Sequence, residues 1–206
     1  NVKALSGFPF NLNSAVDELL KNEFDGFREQ KKPHPYMKDI DKNLIPFQHE
    51  DLDKWRANFT GVQFHHEETD LLLTGAVDDV WIDLDTDELV VVDYKSTSSK
   101  DEVNLDKDWQ ISYKRQMEFY QWLLRQNRFK VSNDGYFVYC NGIKNKESFD
   151  EVLEFRVKVL HYEGNDSWVE PTILEIKEII NNDKTPDADE ECDTCSYVGT
   201  RFELEL

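Results

Sequence analysis

Two aspartates and a lysine fall near the ends of two strand-like segments, TGAVDDVWIDL and ELVVVDYKST. Side chains alternate between the two faces of a strand. Asp78 is therefore the one charge on an otherwise apolar face, whereas Asp79 lies on the more polar face. Asp93 and Lys95 share a face of the second segment. A short acidic turn joins the two segments, so we expect them to pair, and Asp78, Asp93 and Lys95 converge if their faces coincide.

A divalent cation would explain such a cluster. Buried carboxylates repel each other and are costly unless something neutralises them. Oxygen ligands with room for water suit Mg²⁺ or Mn²⁺, and a lysine beside them can stabilise developing negative charge or orient a water molecule. The alternative is structural, with an Asp93–Lys95 ion pair and Asp78 capping a bulge.

The segment WQISYKRQMEFYQWLL predicts a helix that could reach the same cluster. Gln116 interrupts its apolar stripe, and a buried glutamine must find hydrogen-bond partners. Tyr120, four residues later, lies on the same helix face. We expect both side chains to approach the carboxylates. The alternative is an amphipathic core helix that tolerates one polar residue.

The remaining pattern indicates an α/β fold with a mixed central sheet flanked by helices. Helices are predicted over 14–28, 51–59, 109–129 and 168–181, and strands over 62–66, 71–84, 88–96, 135–141 and 152–161. Residues 31–46 hold three prolines and are predicted to be irregular. We expect one domain over 1–206, with a core at about 14–161 and a C-terminal helix and C-x-x-C segment over 168–197.

The composition is that of a globular but strongly acidic chain. Its 206 residues are 39% hydrophobic and 13% aromatic, and its net charge is −19. That charge repels nucleic acid at long range. It does not exclude an enzyme that uses divalent cations and a local basic patch. The acidity could alternatively serve solubility or reflect a host with a high salt concentration. No membrane-length apolar run or signal-peptide pattern is present, so we expect a cytoplasmic protein without a membrane partner.

Three segments, GAVDDVW, VVDYKST and QMEFY, resemble in this order the motifs of RecB-like nucleases in the PD-(D/E)XK superfamily, relatives of the CRISPR adaptation nucleases. Those motifs are G-x-x-D, D/E-x-K followed by a small polar residue, and Q-x-x-x-Y. Asp93 lies 15 positions after Asp78, and Gln116 lies 21 positions after Lys95. The resemblance covers roughly residues 14–141. It implies a restriction-endonuclease-like core that hydrolyses DNA phosphodiester bonds with Mg²⁺ or Mn²⁺.

The same resemblance assigns roles to single residues. Asp78 and Asp93 would be metal ligands, and the carbonyl of Tyr94 a further one. Lys95 would serve the attacking water. Residues Gln116 and Tyr120 would support the site or the DNA strand.

The first predicted helix departs from the family pattern. NSAVDELLK resembles a segment in which the family carries a histidine ligand, and Asp17 stands at the histidine position. Asp17 can ligate Mg²⁺ through oxygen, so we expect it to be a metal ligand. Alternatively, it is a first-turn carboxylate favoured by the helix dipole.

The cysteines provide half of a possible second metal site. Cys192 and Cys195 form a C-x-x-C near the end of the chain, where many RecB-like nucleases carry ligands of an iron–sulfur cluster. Such a cluster or a zinc site needs about four ligands. Cys140 reads as a small buried residue of an apolar strand. We therefore expect a cluster or zinc only if further ligands lie upstream of Asn1.

Three functional classes follow from these patterns. The favoured one is a metal-dependent DNA nuclease, for example in DNA repair or a CRISPR-related setting. The others are an inactive nuclease-fold subunit that binds or scaffolds nucleic acid, and an acidic interaction protein with a zinc or redox site at the cysteines. We expect weak DNA affinity that a protein partner could supplement. Basic residues near the site helix could form a phosphate track or a solvated face: Lys107, Lys114, Arg115, Arg125, Arg128 and Lys130.

Overall fold

A five-stranded mixed sheet with helices on both faces organises the part of the chain that the computed structural model describes, residues 11–189 and 192–204. The helices are α1 (Asn11–Gln30), α2 (Leu52–Arg56), α3 (Ile111–Gln126), α4 (Val169–Asn181) and α5 (Asp193–Leu204). The strands are β1 (Leu44–Pro46), β2 (Val62–His66), β3 (Leu71–Gly75), β4 (Asp79–Asp83), β5 (Glu88–Thr97), β6 (Val131–Gly142) and β7 (Phe155–Glu163).

The strand order in the large sheet is β1-β4-β5-β6-β7. Only the central pair β5–β6 is parallel among these described strands, and α3 forms the crossover between them. Strands β2 and β3 form a separate hairpin that contacts α3. The predicted α/β class with a mixed, helix-flanked sheet is confirmed.

Strand β5 is central because both of its faces are apolar. Leu89 and Val91 pack in the cluster that α3 covers, whereas Val90 and Val92 pack in the cluster that α1 covers with Leu20. A strand buried on both faces reads as a continuous apolar run, which is what the VVV of β5 shows. This packing fixes the end of β5 on which the charged residues lie.

The predicted strand over 71–84 is wrong in one respect, because it is two strands separated at residues 76–78. Strand β3 pairs with β2, whereas β4 pairs with β1 and β5. Gly75 ends β3 against α3, and a Cβ on it would lie 2.7 Å from the ring of Tyr120. The alternation of side chains runs through this break, so the pattern alone could not reveal it.

Three further differences from the predictions concern β1, α5 and the face of β4 that packs under α1. The irregular segment over 31–46 contains the short edge strand β1, where Pro46 occupies a position that tolerates a missing N–H. Helix α5 was not predicted. The face that carries Asp79, the more polar one by alternation, is buried under α1, with Trp81 fully inaccessible.

No helix in the two described ranges is both long and apolar enough to span a membrane.

Candidate active site

The free edge of β5 is the point at which the predicted site residues meet. Pairing of β4 with β5 stops at Asp79 and Val92, whereas β6 follows β5 to Thr97. Asp78, immediately before β4, accepts a hydrogen bond from the Tyr94 N–H at 2.7 Å through its carboxylate. The side chain of Asp78 thus takes the place of a strand carbonyl, and its carboxylate lies beside the end of β5.

A cavity of about 630 Å³ opens at this edge, between the N-terminal parts of α1 and α3. Its walls bring together six of the predicted site residues, namely Asp17, Asp78, Asp93, Tyr94, Lys95 and Gln116. Tyr120 lies one helical turn behind Gln116 and is joined to it by a hydrogen bond. The strand-face argument therefore placed Asp78, Asp93 and Lys95 correctly around one space.

Lys95 is held in place by three contacts. Its ammonium group forms an ion pair with Asp93, donates to Oε1 of Gln116 at 3.3 Å, and lies 4.6 Å from the ring centroid of Tyr113. Gln116 in turn donates through Nε2 to the hydroxyl of Tyr120 at 2.8 Å. These three residues of α3 share one helix face, because they are spaced three or four apart. The helix therefore fixes the position of the lysine.

Asp78 and Asp93 lie in an environment that disfavours the charge of their carboxylates. Burial raises the pKa of Asp78 to about 7, and the nearby charge of Asp93 adds to this, while Lys95 and the Tyr94 N–H partly offset it. Burial also raises the pKa of Asp93, against the opposing effect of Lys95. The charge of Asp17 raises both values slightly. The cavity thus has four carboxylates, from Asp17, Glu18, Asp78 and Asp93, against two lysines, Lys21 and Lys95.

The donor set suits a hard cation. Both buried carboxylate oxygens of Asp93 lack a well-oriented hydrogen-bond donor within the described residues, although one of them contacts the Lys95 ammonium. A cation would satisfy these oxygens. Within the same residues, no three His, Cys, Asp or Glu side chains are close enough to enclose a metal ion by themselves. A metal here would therefore depend on Asp78 and Asp93 together with main-chain and water oxygens.

The structural alternative proposed from the sequence for these residues is present in part. Asp93 is ion-paired with Lys95, and Asp78 caps the Tyr94 N–H rather than a bulge. Asp17 lies on the cavity wall, where its carboxylate is 2.7 Å from the ammonium of Lys21. These contacts leave the cavity open.

A buried charge network behind the cavity was missed by the sequence analysis. Asp79 is fully buried and is ion-paired with Arg28 and with Arg56, whose Nη2 lies 2.7 Å from Oδ1. The Tyr94 hydroxyl donates to the other oxygen of Asp79 at 2.8 Å. Asp25 of α1 joins the network through Arg56 at 2.9 Å. The available signal was an aspartate at an alternate, buried position, but its partners are remote in sequence.

The basic residues near α3 are largely engaged in packing. Lys114 lies over the ring of Tyr162, and Arg115 lies over Trp168. Arg125 is ion-paired with Asp166 and donates to the carbonyls of residues 131 and 132. Lys130 donates to the Thr86 carbonyl at 2.7 Å. The expected phosphate track along this helix therefore has few cations free to form it.

The cysteine pair lies at the start of α5. Cys192 precedes the helix, and the backbone N–H of Cys195 donates to its sulfur at 3.4 Å, which lowers the pKa of the Cys192 thiol. Both are free thiols. Cys140 is buried on β6 among the apolar residues under α1, and burial raises the pKa of its thiol to about 11.

A family comparison bears on this geometry. The family model of the PD-(D/E)XK nuclease superfamily matches residues 4–200. No curated protein and no solved structure gives a significant match. The matched range contains every residue that lines the cavity beside β5.

Proposed function

Because the chain belongs to the PD-(D/E)XK nuclease superfamily, we propose that it is a divalent-metal-dependent DNA nuclease of the RecB-like type. Membership itself suggests a hydrolytic nuclease, and a nuclease binds nucleic acid. The observation that carries the finer proposal is the convergence of Asp78, Asp93 and Lys95 on one cavity. We also propose that residues 1–206 form a single nuclease domain.

The metal ligands would be oxygens at the free edge of β5. Asp78 and Asp93 would ligate through their carboxylates, and Tyr94 through its main-chain carbonyl. In a strand, the N–H and C=O of one residue point to the same side, and the Tyr94 N–H points at Asp78. Asp17 lines the same cavity from α1 and would act on the ion through a bound water, because it is not close enough to enclose a metal together with Asp78 and Asp93. An all-oxygen set of this kind favours Mg²⁺ or Mn²⁺, which most of the superfamily uses.

The chain's own residues would position the substrate and the water. A bound divalent ion supplies Lewis-acid chemistry, since it polarises a phosphate oxygen and lowers the pKa of water. Lys95 holds a positive charge at a fixed point of the cavity, where it can orient the attacking water or stabilise charge on the phosphate. Gln116 and Tyr120 act as positioning residues, because they contact Lys95 directly or through one hydrogen bond.

Metal dependence is the first test of this proposal. With DNA as substrate, we expect no cleavage in EDTA and cleavage on addition of Mn²⁺ or Mg²⁺, measured as product release on denaturing gels. Asp93→Asn should remove this activity, because it deletes a charged ligand. Glu88→Gln, at the opposite end of β5, is the control and should retain activity. Cleavage that persists in EDTA would contradict the proposal, and metal binding without cleavage of any DNA would favour an inactive binding subunit.

Asp17 gives a second, independent prediction. Asp17→Ala should weaken Mn²⁺ affinity about tenfold or more, measured by calorimetry, because it removes a carboxylate from the cavity wall. Asp25, on the same helix, is an unsuitable control because it is ion-paired with Arg56. Glu29 of α1 is exposed and serves instead. Equal affinities for the Asp17→Ala and Glu29→Ala variants would show Asp17 to be an ordinary helix residue.

A further inference from the structure

A second cavity, of about 420 Å³, lies where β5 and β6 end. Three cations line it, Lys100, Lys144 and Arg156, and its lining contains no carboxylate. This is the reverse of the cavity beside Asp93, whose walls carry four carboxylates. In a chain with a net charge of −19, a pocket of uncompensated positive charge is unexpected. Its charge suits an anion.

Among the described residues, the three cations of this basic pocket have no direct ion-pair partner, although Arg156 and Glu102 attract each other at longer range. In residues 11–189 and 192–204, no ion pair within 4.0 Å involves Lys100, Lys144 or Arg156. Other lysines in the same region are paired, Lys146 with Glu154, and Lys158 with Glu102 at 2.7 Å. Glu154 and Glu102 are thus each paired with a lysine outside the pocket.

A neutral donor completes the wall. The hydroxyl oxygen of Ser99 accepts the N–H of Asp101 at 3.1 Å, which leaves its own proton to donate. The side chain of Asn141 donates to the Ser99 carbonyl at 3.1 Å and ties this loop to β6. The loop that carries Ser99 and Lys100 is therefore anchored, and the pocket offers one hydroxyl donor besides its cations.

The basic pocket is close to the candidate active site along β5. Ser96 lines the active-site cavity and Ser99 lines the basic pocket. Three residues of extended chain span at most about 10 Å, so one strand of the substrate can reach both cavities. Trp109 lies between the two cavities. It lines a small cavity together with Ser99, and its ring centroid is 5.3 Å from that of Tyr113, which lines the active-site cavity. Its side chain is 55% exposed, and an exposed indole is a surface on which a base can stack.

We propose that the basic pocket binds a backbone phosphate of a single-stranded segment of the substrate, a short distance along the strand from the cleaved bond, while an intervening base stacks on Trp109. This inference rests on the proposed nuclease function. It explains how a strongly acidic chain holds a polyanion, because the attraction is local and placed beside the site. Stacking on Trp109 requires an unpaired base, which selects single strands over duplex.

Binding to a labelled single-stranded 20-mer, followed by fluorescence anisotropy in Ca²⁺ at several salt concentrations, tests this proposal. The double variant Lys144→Ala/Arg156→Ala should bind at least about tenfold more weakly at low salt, and the slope of log affinity against log salt should fall by about 0.7, the value for one lost phosphate contact of a single strand. Trp109→Ala should cost about fivefold or more on the single strand and leave affinity for duplex unchanged.

The matched control is Lys146→Ala/Lys158→Ala, which removes two nearby lysines that are already ion-paired. It should leave the salt slope unchanged. An unaltered slope in the Lys144→Ala/Arg156→Ala variant, an equal loss in the control, or an equal effect of Trp109→Ala on duplex would overturn the proposal. Because binding is measured without cleavage, this outcome is separate from whether the chain is an active nuclease.

Discussion

Replacing Lys95 with alanine will remove DNA cleavage while leaving metal and DNA binding nearly intact. The lysine ammonium is fixed at the cavity by Asp93, by Gln116 at 3.3 Å and by the ring of Tyr113. Loss of one preorganised group that stabilises transition-state charge costs about 10²–10³-fold in rate. Divalent-ion affinity should not fall, because the substitution removes a positive charge that competes with the ion for Asp93.

The measurements are single-turnover cleavage rates and calorimetric Mn²⁺ affinity for Lys95→Ala and the wild type. Lys130→Ala is the control, since Lys130 lies at the opposite end of the sheet and binds the Thr86 carbonyl. It should cleave at the wild-type rate. Activity that survives in Lys95→Ala would overturn the mechanism, and a large loss of metal affinity would show that Lys95 supports the fold of the site instead.

Asp79→Asn will destabilise the protein by about 3–5 kcal/mol, because two buried arginines then share the single, partly exposed carboxylate of Asp25. Asp79 is ion-paired with Arg28 and Arg56 and is fully inaccessible to solvent. For the adjacent residue we expect the opposite effect on stability, so Asp78→Asn should not lower the free energy of unfolding. A carboxyl whose pKa is raised on folding binds its proton more tightly in the folded state, so its ionised form opposes folding above about pH 4.

Urea unfolding at pH 8 in EDTA compares these two neighbours directly. Asp78→Asn keeps an oxygen to accept the Tyr94 N–H, so its free energy of unfolding should equal or exceed that of the wild type. Asp79→Asn should unfold at a much lower urea concentration. Equal losses in the two variants would mean that the buried network and the free edge of β5 do not differ energetically as their contacts indicate.

The sequence predicted the arrangement of the site better than its surroundings. Alternation along β5 correctly placed Asp93 and Lys95 on one face, and helical periodicity correctly joined Gln116 to Tyr120. Both patterns depend only on local backbone geometry, which the sequence encodes directly. The order of the three motifs then indicated the superfamily, which the family model supports.

What could not be predicted depends on contacts between distant residues. The ion pairs of Asp79 join positions 28, 56 and 79, and no local period relates them. The break at residues 76–78 was hidden because strand-forming apolar residues continue on both sides of it. The cations of the basic pocket are likewise spread over residues 100–156. They meet because β5 and β6 are parallel and because β7 pairs with β6, which places Arg156 opposite Asn141.

Tyr94 has a consequence for how the protein loses activity on heating. Its main-chain N–H binds Asp78 at the cavity, and its hydroxyl binds Asp79 in the buried network. Tyr94 thus connects the free edge of β5, which carries the candidate site, to the buried network around Asp79. No loop that could unfold separately lies between these two contacts, because one residue makes both. Local openings follow cooperative units of contacts. The candidate site therefore belongs to the cooperative unit that contains the central strands, and thermal inactivation should coincide with global unfolding.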